Sequence, residues 1–433
     1  MQYIADFHIH SKYSRACSKQ LDLEHISAWS RIKGINVVSC ADFAHPKWFA
    51  ELKEKLEETR EGLYELKKEY REASDDIVRD FSPALISAPQ HFILATEISC
   101  IYSKEKKVRR VHLIVCAPSL DVVEKINTEL SKIGNITADG RPIIGIDVRN
   151  LVAMIHDISD KCFFIPAHAW TPWFSVFGSF SGFNSLEECF EDMTPYISAI
   201  ETGLSSDPAM NWKLSQLNNV TMISNSDAHS LEKLGREANI FVGDTVSYAS
   251  LCSAICAGKK GTDALRLDAT IEFFPEEGKY YLDGHRLCQF SCEPQQTRKL
   301  KGICPVCKKG LTVGVLNRIA ELADQDGQAQ RDTRIPFFNV IPLQELLSQV
   351  CGVGVQSKRV REEYKKVINR CGSEFDILLN VSPDELKQKC SQEIADAILE
   401  MRSGSVEIHA GYDGEYGTIH LKKSKKKKQT ELF

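Results

Sequence analysis

The chain has 433 residues, about two to three times the length of a typical domain, so one hydrophobic core is not expected to account for all of it. Its 43% hydrophobic and 26% charged residues are those of an ordinary soluble globular protein. No apolar run approaches the ~20 residues of a membrane helix, and the opening MQYIADFHIH lacks a signal-peptide layout. Membrane-spanning, secreted and disordered classes are therefore disfavoured. The net charge of −5 conceals an asymmetry: residues 280–433 hold 24 Lys+Arg against 20 Asp+Glu, and the preceding 279 residues hold 30 against 39. An acidic first part suits cations, and a basic second part suits a polyanion. Most of the 15 cysteines sit alone in apolar stretches such as INVVSC and HLIVCA. They read as buried reduced thiols and place the chain in a reducing cytoplasm.

In chain order, strands are expected at Tyr3–Phe7, Ile35–Cys40, His91–Thr96, Val111–Cys116, Phe163–Pro166, Ile197–Glu201, Thr221–Ser224 and Asn239–Val242. Helical stretches such as Leu21–Lys33 and Leu120–Lys132 lie between them. This alternation predicts an α/β fold with a largely parallel sheet, closed as a barrel or open. The charged stretch Lys47–Arg79 has apolar residues at helical spacing and reads as a solvated inserted helix. From Glu276 the pattern changes to a short segment with four cysteines in 20 residues, and then to mainly helical sequence up to about Arg402. A turn-rich GYDGEYG run, a lysine run and a short tail follow. The expected organisation is a catalytic domain over 1–275, a zinc-binding module over 276–315, a mainly helical DNA-binding domain over 316–420, and a basic tail over 421–433.

In DFHIHSKYS, strand alternation puts His8 and His10 on one side, near the end of the first strand. Other candidate ligands recur beside later apolar runs: Asp42, Glu97, His112, His168, Asp227 and His229. One histidine beside a strand is ordinarily a satisfied core residue. Eight potential ligands on strands or at their ends, where α/β folds place their sites, point instead to a metal centre. Two metals about 3.5–4 Å apart activate water and stabilise a leaving alkoxide in phosphodiester cleavage. Glu97 can bridge two ions, and Asp227 can be both ligand and proton acceptor. Such donors suit zinc or manganese better than magnesium, which remains possible. A second group, His285-x2-Cys288 followed by Cys304-x2-Cys307, has the spacing of a structural zinc site, with Cys292 as a rival ligand. Tyr13, Phe43, Trp170, Trp173 and Phe174 gather near the expected metals. Tyr13 and Trp173 are candidates for stacking on a nucleobase, and Arg236 for a phosphate contact. Glycines before Ser357, Lys358 and Arg359 offer a weaker backbone-phosphate site.

The HxH, the Asp after the second strand, the Glu, two further histidines and the closing SDAH together resemble the polymerase and histidinol phosphatase (PHP) domain. That resemblance implies a distorted seven-stranded α/β barrel with two or three divalent metals. Members of the family often carry His directly after the second-strand Asp. Here Asp42 is followed by Phe43, with the next histidine at His45, which leaves that ligand position and a third metal open. The runs HIHSKYSRACSK, PAHAWTPWFS, SDAHSLEKLGREAN, GICPVCKKGLTVGVLNRIAELAD and GYDGEYGTI are similar to those of the endonuclease Q family, DNA repair nucleases of archaea and some bacteria, from Tyr3 to Leu421. This implies nicking of DNA on the 5′ side of deaminated bases (uracil, hypoxanthine, xanthine) and abasic sites. It also favours His285 over Cys292 as the fourth zinc ligand. The terminal QTELF resembles the bacterial sliding-clamp binding peptide, with Gln429, Leu432 and Phe433 as its contacts. The competing readings are a small-molecule phosphoesterase of the histidinol-phosphatase type, which leaves the zinc module, basic half and tail without purpose, and a noncatalytic DNA- or clamp-binding module.

Overall fold

In the computed structural model, which describes residues 1–422, the first strand, Gln2–Asp6, lies between two neighbours of opposite sense. It is parallel to Val37–Ser39, with Ala5 opposite Val37, and antiparallel to Ala238–Gly243, with Ala5 opposite Asn239. Val37–Ser39 continues in parallel onto His91–Ile93. The single strand expected over His91–Thr96 is divided. The chain bends at Leu94, and Ala95–Lys104 leaves for a second sheet as a long hairpin with Lys107–Cys116. The centre of the run, FILA, is continuously apolar, so no alternation marks the bend. Glu105 and Lys106 join the hairpin with φ of 52° and 62°, the positive pair that matches a tight turn to the twist of two antiparallel strands.

Phe163–Pro166 adds antiparallel to that hairpin, and the Ala169 N–H donates to the Glu201 carbonyl (3.0 Å), leading to Ala199–Glu201 and its parallel partner Thr221–Ile223. The ring closes where the Phe7 N–H reaches Asn225 Oδ1 (2.9 Å) and the His10 N–H reaches the Ala228 carbonyl (3.0 Å). The result is a distorted barrel of mixed sense, less parallel than the sequence pattern suggested. Period-two alternation sorts its side chains. Ala5, Phe7, Val37, Ile114, Ile165 and Ile223 fill one core, while Ile4, Val38, Phe92 and Ile98 belong to the core under the helices.

The inserted helix expected over Lys47–Arg79 is corrected to a helix (Pro46–Lys55), a hairpin (Leu56–Arg60 with Leu63–Leu66) and a second helix (Lys68–Phe81). Leucines at 52, 56, 63 and 66 satisfy helical spacing, but the pair Glu61–Gly62, with Gly62 at φ 69°, turns the chain back. Gly62 has no room for a side chain either, since a Cβ there would fall 2.4 Å from that of Tyr248.

Residues 276–315 form a small unit around the buried Asp283, which accepts from the Gly314 N–H (2.6 Å) and from the Thr297 and Asn317 side chains. The short strand Phe337–Asn339 then joins the edge of the large sheet, parallel to Leu265–Glu272. Helices Leu343–Cys351, Lys358–Cys371, Pro383–Lys389 and Gln392–Arg402 pack on one another, and Tyr364 of the second stacks on Trp29 of the barrel helix Leu23–Lys33 and meets Phe81 of the inserted helix Lys68–Phe81 edge-on. There Lys33 and Glu374, both buried, pair at 2.8 Å, and Tyr364 donates to the same carboxylate (2.6 Å). Among the described residues no helix is long and apolar enough to cross a membrane. Gln429, Leu432 and Phe433 lie outside the described residues.

Candidate metal centre

His8 and His10 follow the first strand in extended backbone, one on each side of Ile9, which pairs with Ala228 of the loop carrying Asp227. Glu97 enters from Ala95–Lys104 and His112 from its hairpin partner, while His168 follows Phe163–Pro166. Asp42, His168 and Asp227 all have positive φ (32°, 30° and 46°), a sparsely populated conformation for residues other than glycine, and strain of this kind gathers at functional sites.

Two groups of donors share one carboxylate. Glu97 Oε2 lies 3.5 Å from His8 Nε2 and 3.4 Å from His10 Nε2, and Asp227 Oδ1 is 3.6 and 3.0 Å from the same two nitrogens. Glu97 Oε1 faces His112 Nδ1 (2.6 Å) and His168 Nε2 (3.1 Å). In each group one donor atom per residue falls within 4.8 Å of all the others, and Glu97 belongs to both. The geometry is that of two adjacent cation positions with a bridging carboxylate.

The histidines are aimed from behind. His8 Nδ1 contacts Glu201 (3.0 Å), which leaves Nε2 buried, without a partner and directed into the first group. A buried ring nitrogen without a hydrogen-bond partner, facing two carboxylates, fits a divalent cation. His10 Nδ1 is held by Asp42 (3.2 Å) and His168 Nδ1 by Thr171 Oγ1 (3.2 Å), partners of the kind that fix the tautomer of metal-binding imidazoles. Charge balance agrees. Burial works against protonation of His8, yet Glu201, Glu97 and Asp227 outweigh it and hold the ring well above the usual histidine range. This concentration of carboxylates calls for positive charge. His112, by contrast, is pushed down to about 4 by burial, so its neutral ring has a lone pair to offer.

Asp42 and His229 stand outside both groups. Asp42 sits behind His10 and accepts from the Ser11 N–H and the Ser11 and Ser14 hydroxyls, while the half-exposed His229 stacks over His10 with ring centres 4.6 Å apart. His45 does not replace the missing neighbour of Asp42: it caps the helix Pro46–Lys55, stacks on Tyr13 and reaches the Thr137 carbonyl. Tyr13 also donates to Glu51 (2.8 Å). Trp173 is half-buried, stacked 4.5 Å from exposed Phe180 with Tyr280 at its edge, whereas Trp170 is core. Arg236 donates to the carbonyls of Ser226 (2.7 Å) and Asp227 (3.1 Å), so it braces the Asp227 loop rather than presenting a free guanidinium. Ser357 caps the helix Lys358–Cys371 through its hydroxyl.

Sequence reasoning missed Glu201, although AIE before a turn is the same signal that marked the other acids. It also missed Arg141, whose Nη1 lies 2.9 Å from Glu97 Oε2. No pattern announces Arg141. It is delivered by contacts distant in sequence: the Gly140 N–H donates to the Tyr13 carbonyl, and Asp139 pairs with Arg15. A Cβ on Gly140 would collide with Asp42 at 2.2 Å, so only glycine lets this loop approach.

In the segment after the barrel, His285, Cys288, Cys304 and Cys307 bring four donor atoms within 4.8 Å of one another, with His285 Nδ1 3.6 Å from Cys307 Sγ. Cys292 is apart from them, its thiol 3.3 Å from the Thr297 hydroxyl.

A distorted barrel whose histidines and carboxylates converge on a shared glutamate defines the PHP type of α/β fold. A family model described as PHP-associated matches residues 210–259, and one described as the MJ0043 C-terminal domain matches residues 342–405. The chain is similar to an uncharacterized protein of Bacillus subtilis, YqxK, with 30% identity over 429 residues, 96% of this chain and 98% of that protein. It is also similar to the uncharacterized protein MJ0043 of Methanocaldococcus jannaschii, with 31% identity over 261 residues, 60% of this chain but only 32% of that protein's length. Among solved structures it resembles the lesion-specific endonuclease PfuEndoQ of Pyrococcus furiosus, with 27% identity and a TM-score of 0.82 over 98% of this chain and 96% of that one. A complex of endonuclease Q with a 27-mer duplex bearing an abasic lesion at its active site matches at 27% identity and a TM-score of 0.81, over 98% and 97% of the two chains. The chain belongs to the endonuclease Q family.

Proposed function

We propose that this chain is a lesion-specific DNA endonuclease that nicks the strand on the 5′ side of deaminated bases and abasic sites. The observation that carries the reading is Glu97, whose two oxygens serve two donor groups in a chain that shares its fold with endonuclease Q over nearly its whole length. When bound, two divalent cations would supply Lewis-acid activation of water and stabilisation of the leaving oxygen. The chain's residues set everything else. Glu97 fixes the spacing of the two positions, and Glu201 and Asp42 hold His8 and His10 by Nδ1, with Nε2 of each turned toward Glu97 and Asp227. Asp227, the partly exposed acid of the first group, is placed to accept a proton from attacking water. Arg141, at the rim, offers its guanidinium to the scissile phosphate. Trp173 and Tyr13 line the approach, where a base taken out of the duplex could stack.

The test is a nicking assay on end-labelled duplexes carrying one uracil, hypoxanthine or abasic site, with manganese, magnesium or zinc added. Undamaged duplex and a phosphomonoester serve as controls. Lesion-dependent nicks are expected, and Asp227→Asn should abolish them with DNA binding retained. Full-rate cleavage by Asp227→Asn, or turnover of the phosphomonoester alone, would overturn the proposal, the latter in favour of the small-molecule phosphoesterase.

The His285, Cys288, Cys304 and Cys307 group is a structural zinc site in this reading, completing a unit with little apolar core of its own. Cys304→Ser and His285→Ala should each lower zinc content by about one ion per chain and loosen residues 280–310, whereas Cys292→Ser should not. Equal zinc in all three proteins would exclude the assignment. The tail Gln429, Leu432 and Phe433 is proposed to engage a sliding clamp. The Leu432→Ala, Phe433→Ala double variant should lose clamp retention in a pull-down at moderate salt yet nick short oligonucleotides at the parental rate, because a short peptide draws its affinity from a few buried apolar anchors.

A further inference from the structure

The thiols of this protein differ sharply in character. Burial pushes Cys40, Cys162 and Cys252 up to about 12, and Cys100, Cys116 and Cys189 also upward, so none of them supplies thiolate at neutral pH. Cys288, Cys304 and Cys307 belong to the four-donor group. Of the three thiols in the C-terminal helical unit, Cys351, Cys371 and Cys390, two lie side by side. Cys371 is the last residue of the helix Lys358–Cys371, and Cys390 caps the C-terminus of Pro383–Lys389 through its N–H to the Leu386 carbonyl (2.9 Å). The packing of these helices brings the two sulfurs to 3.5 Å, with Cys371 buried and Cys390 half-exposed.

The surroundings favour reaction at Cys371. The two thiols share a hydrogen bond, and the pairing lowers Cys371 and raises Cys390; for Cys371 it acts against burial, with Lys389 and Arg370 adding positive charge and Glu385 opposing them. Position at a helix C-terminus works against a thiolate, so the pairing, not the helix, makes this sulfur acidic.

We propose that Cys371 and Cys390 are a modification site for hydroperoxides, at which they form a reversible disulfide. The Cys371 thiolate attacks the terminal oxygen of the hydroperoxide and the O–O bond breaks. The alkoxide leaves and takes up a proton as the alcohol, and Cys371 becomes a sulfenic acid. The Cys390 sulfur then attacks the Cys371 sulfur. The S–S bond forms, and hydroxide departs with the Cys390 proton as water. Two thiols lose two electrons, and one hydroperoxide is reduced to an alcohol and water. A dithiol reductant reverses the change by exchange. The bond would close the segment containing Glu374, whose carboxylate accepts from Lys33, Tyr364 and the Leu343 N–H, and so would fasten the helical unit where it meets the barrel.

The test uses the full chain with its metals. The protein is treated with cumene hydroperoxide near stoichiometry, alkylated with N-ethylmaleimide, digested and analysed by mass spectrometry. The expected product is a cross-linked peptide pair containing Cys371 and Cys390, lighter than the two free peptides by two hydrogen atoms. It should appear before other cysteines are oxidised and disappear with dithiothreitol. In Cys390→Ser, with its circular dichroism unchanged, dimedone should label Cys371. Alkylation of both residues at a dose that has already oxidised other thiols would overturn the proposal, as would absence of dimedone on Cys371 in the folded variant.

Discussion

Glu97→Gln is expected to reduce nicking by at least ~10³-fold, on the order of 4 kcal/mol of transition-state stabilisation, and to lower the metal content of the catalytic site. The size follows from its double duty. Oε2 serves the group of His8, His10 and Asp227, and Oε1 serves His112 and His168. An amide keeps one acceptor and replaces the other with an NH2 donor, so one group must lose its carboxylate whichever way the side chain is turned. Arg141 loses its ion-pair partner in the same change. Metal analysis alongside single-turnover nicking checks both halves of the argument. A variant that retains its metals and cuts at the parental rate would show that Glu97 bridges nothing.

Lys33→Met should destabilise the protein by about 3 kcal/mol, because removing one member of a buried ion pair leaves the other as an uncompensated charge. Lys33 and Glu374 are both nearly inaccessible to solvent and pair at 2.8 Å, and Lys33 also donates to the Glu232 carbonyl (3.0 Å). Tyr364 and the Leu343 N–H soften the loss without cancelling a charge. Urea midpoints of the parent, Lys33→Met, Glu374→Gln and the double variant would measure it. The double variant is expected to recover part of the loss, and a Lys33→Met change below ~0.5 kcal/mol would assign the pair to the solvated class of ion pairs.

The donors of the centre were legible because each is a polar residue beside an apolar strand, a conspicuous break in composition. Their division of labour was not. Asp42 and Glu97 look alike in sequence, yet one stands behind a histidine and the other between two groups, a distinction set by which strand each ends and how the barrel closes. Glu201 carried the same signal and could have been found. Arg141 could not, since its position depends on Gly140 approaching Asp42 and on Asp139 meeting Arg15. In the fold, local alternation gave the strands, but the bend at Leu94 and the hairpin at Glu61–Gly62 lie in runs whose spacing fits two structures equally well.

The loop that carries Asp227 and His229 runs on to Gly235, at φ 65°, where a Cβ would meet Ile35 at 2.9 Å and the Phe375 ring at 3.0 Å. Next to Ile35, at the end of the barrel's first helix, Gly34 abuts Ser373 still more tightly, a Cβ there falling 2.5 Å from its hydroxyl, and Lys233 pairs with Glu345. The helical unit is therefore a wall of the catalytic end and not an appendage on a tether. A barrel severed at residue 341 would lose the surface against which its own Asp227 loop is set. Hydrogen exchange should report that loop and the helices beyond 342 opening together, as one cooperative block, so recombining this barrel with a foreign helical unit would sacrifice the centre along with the partner.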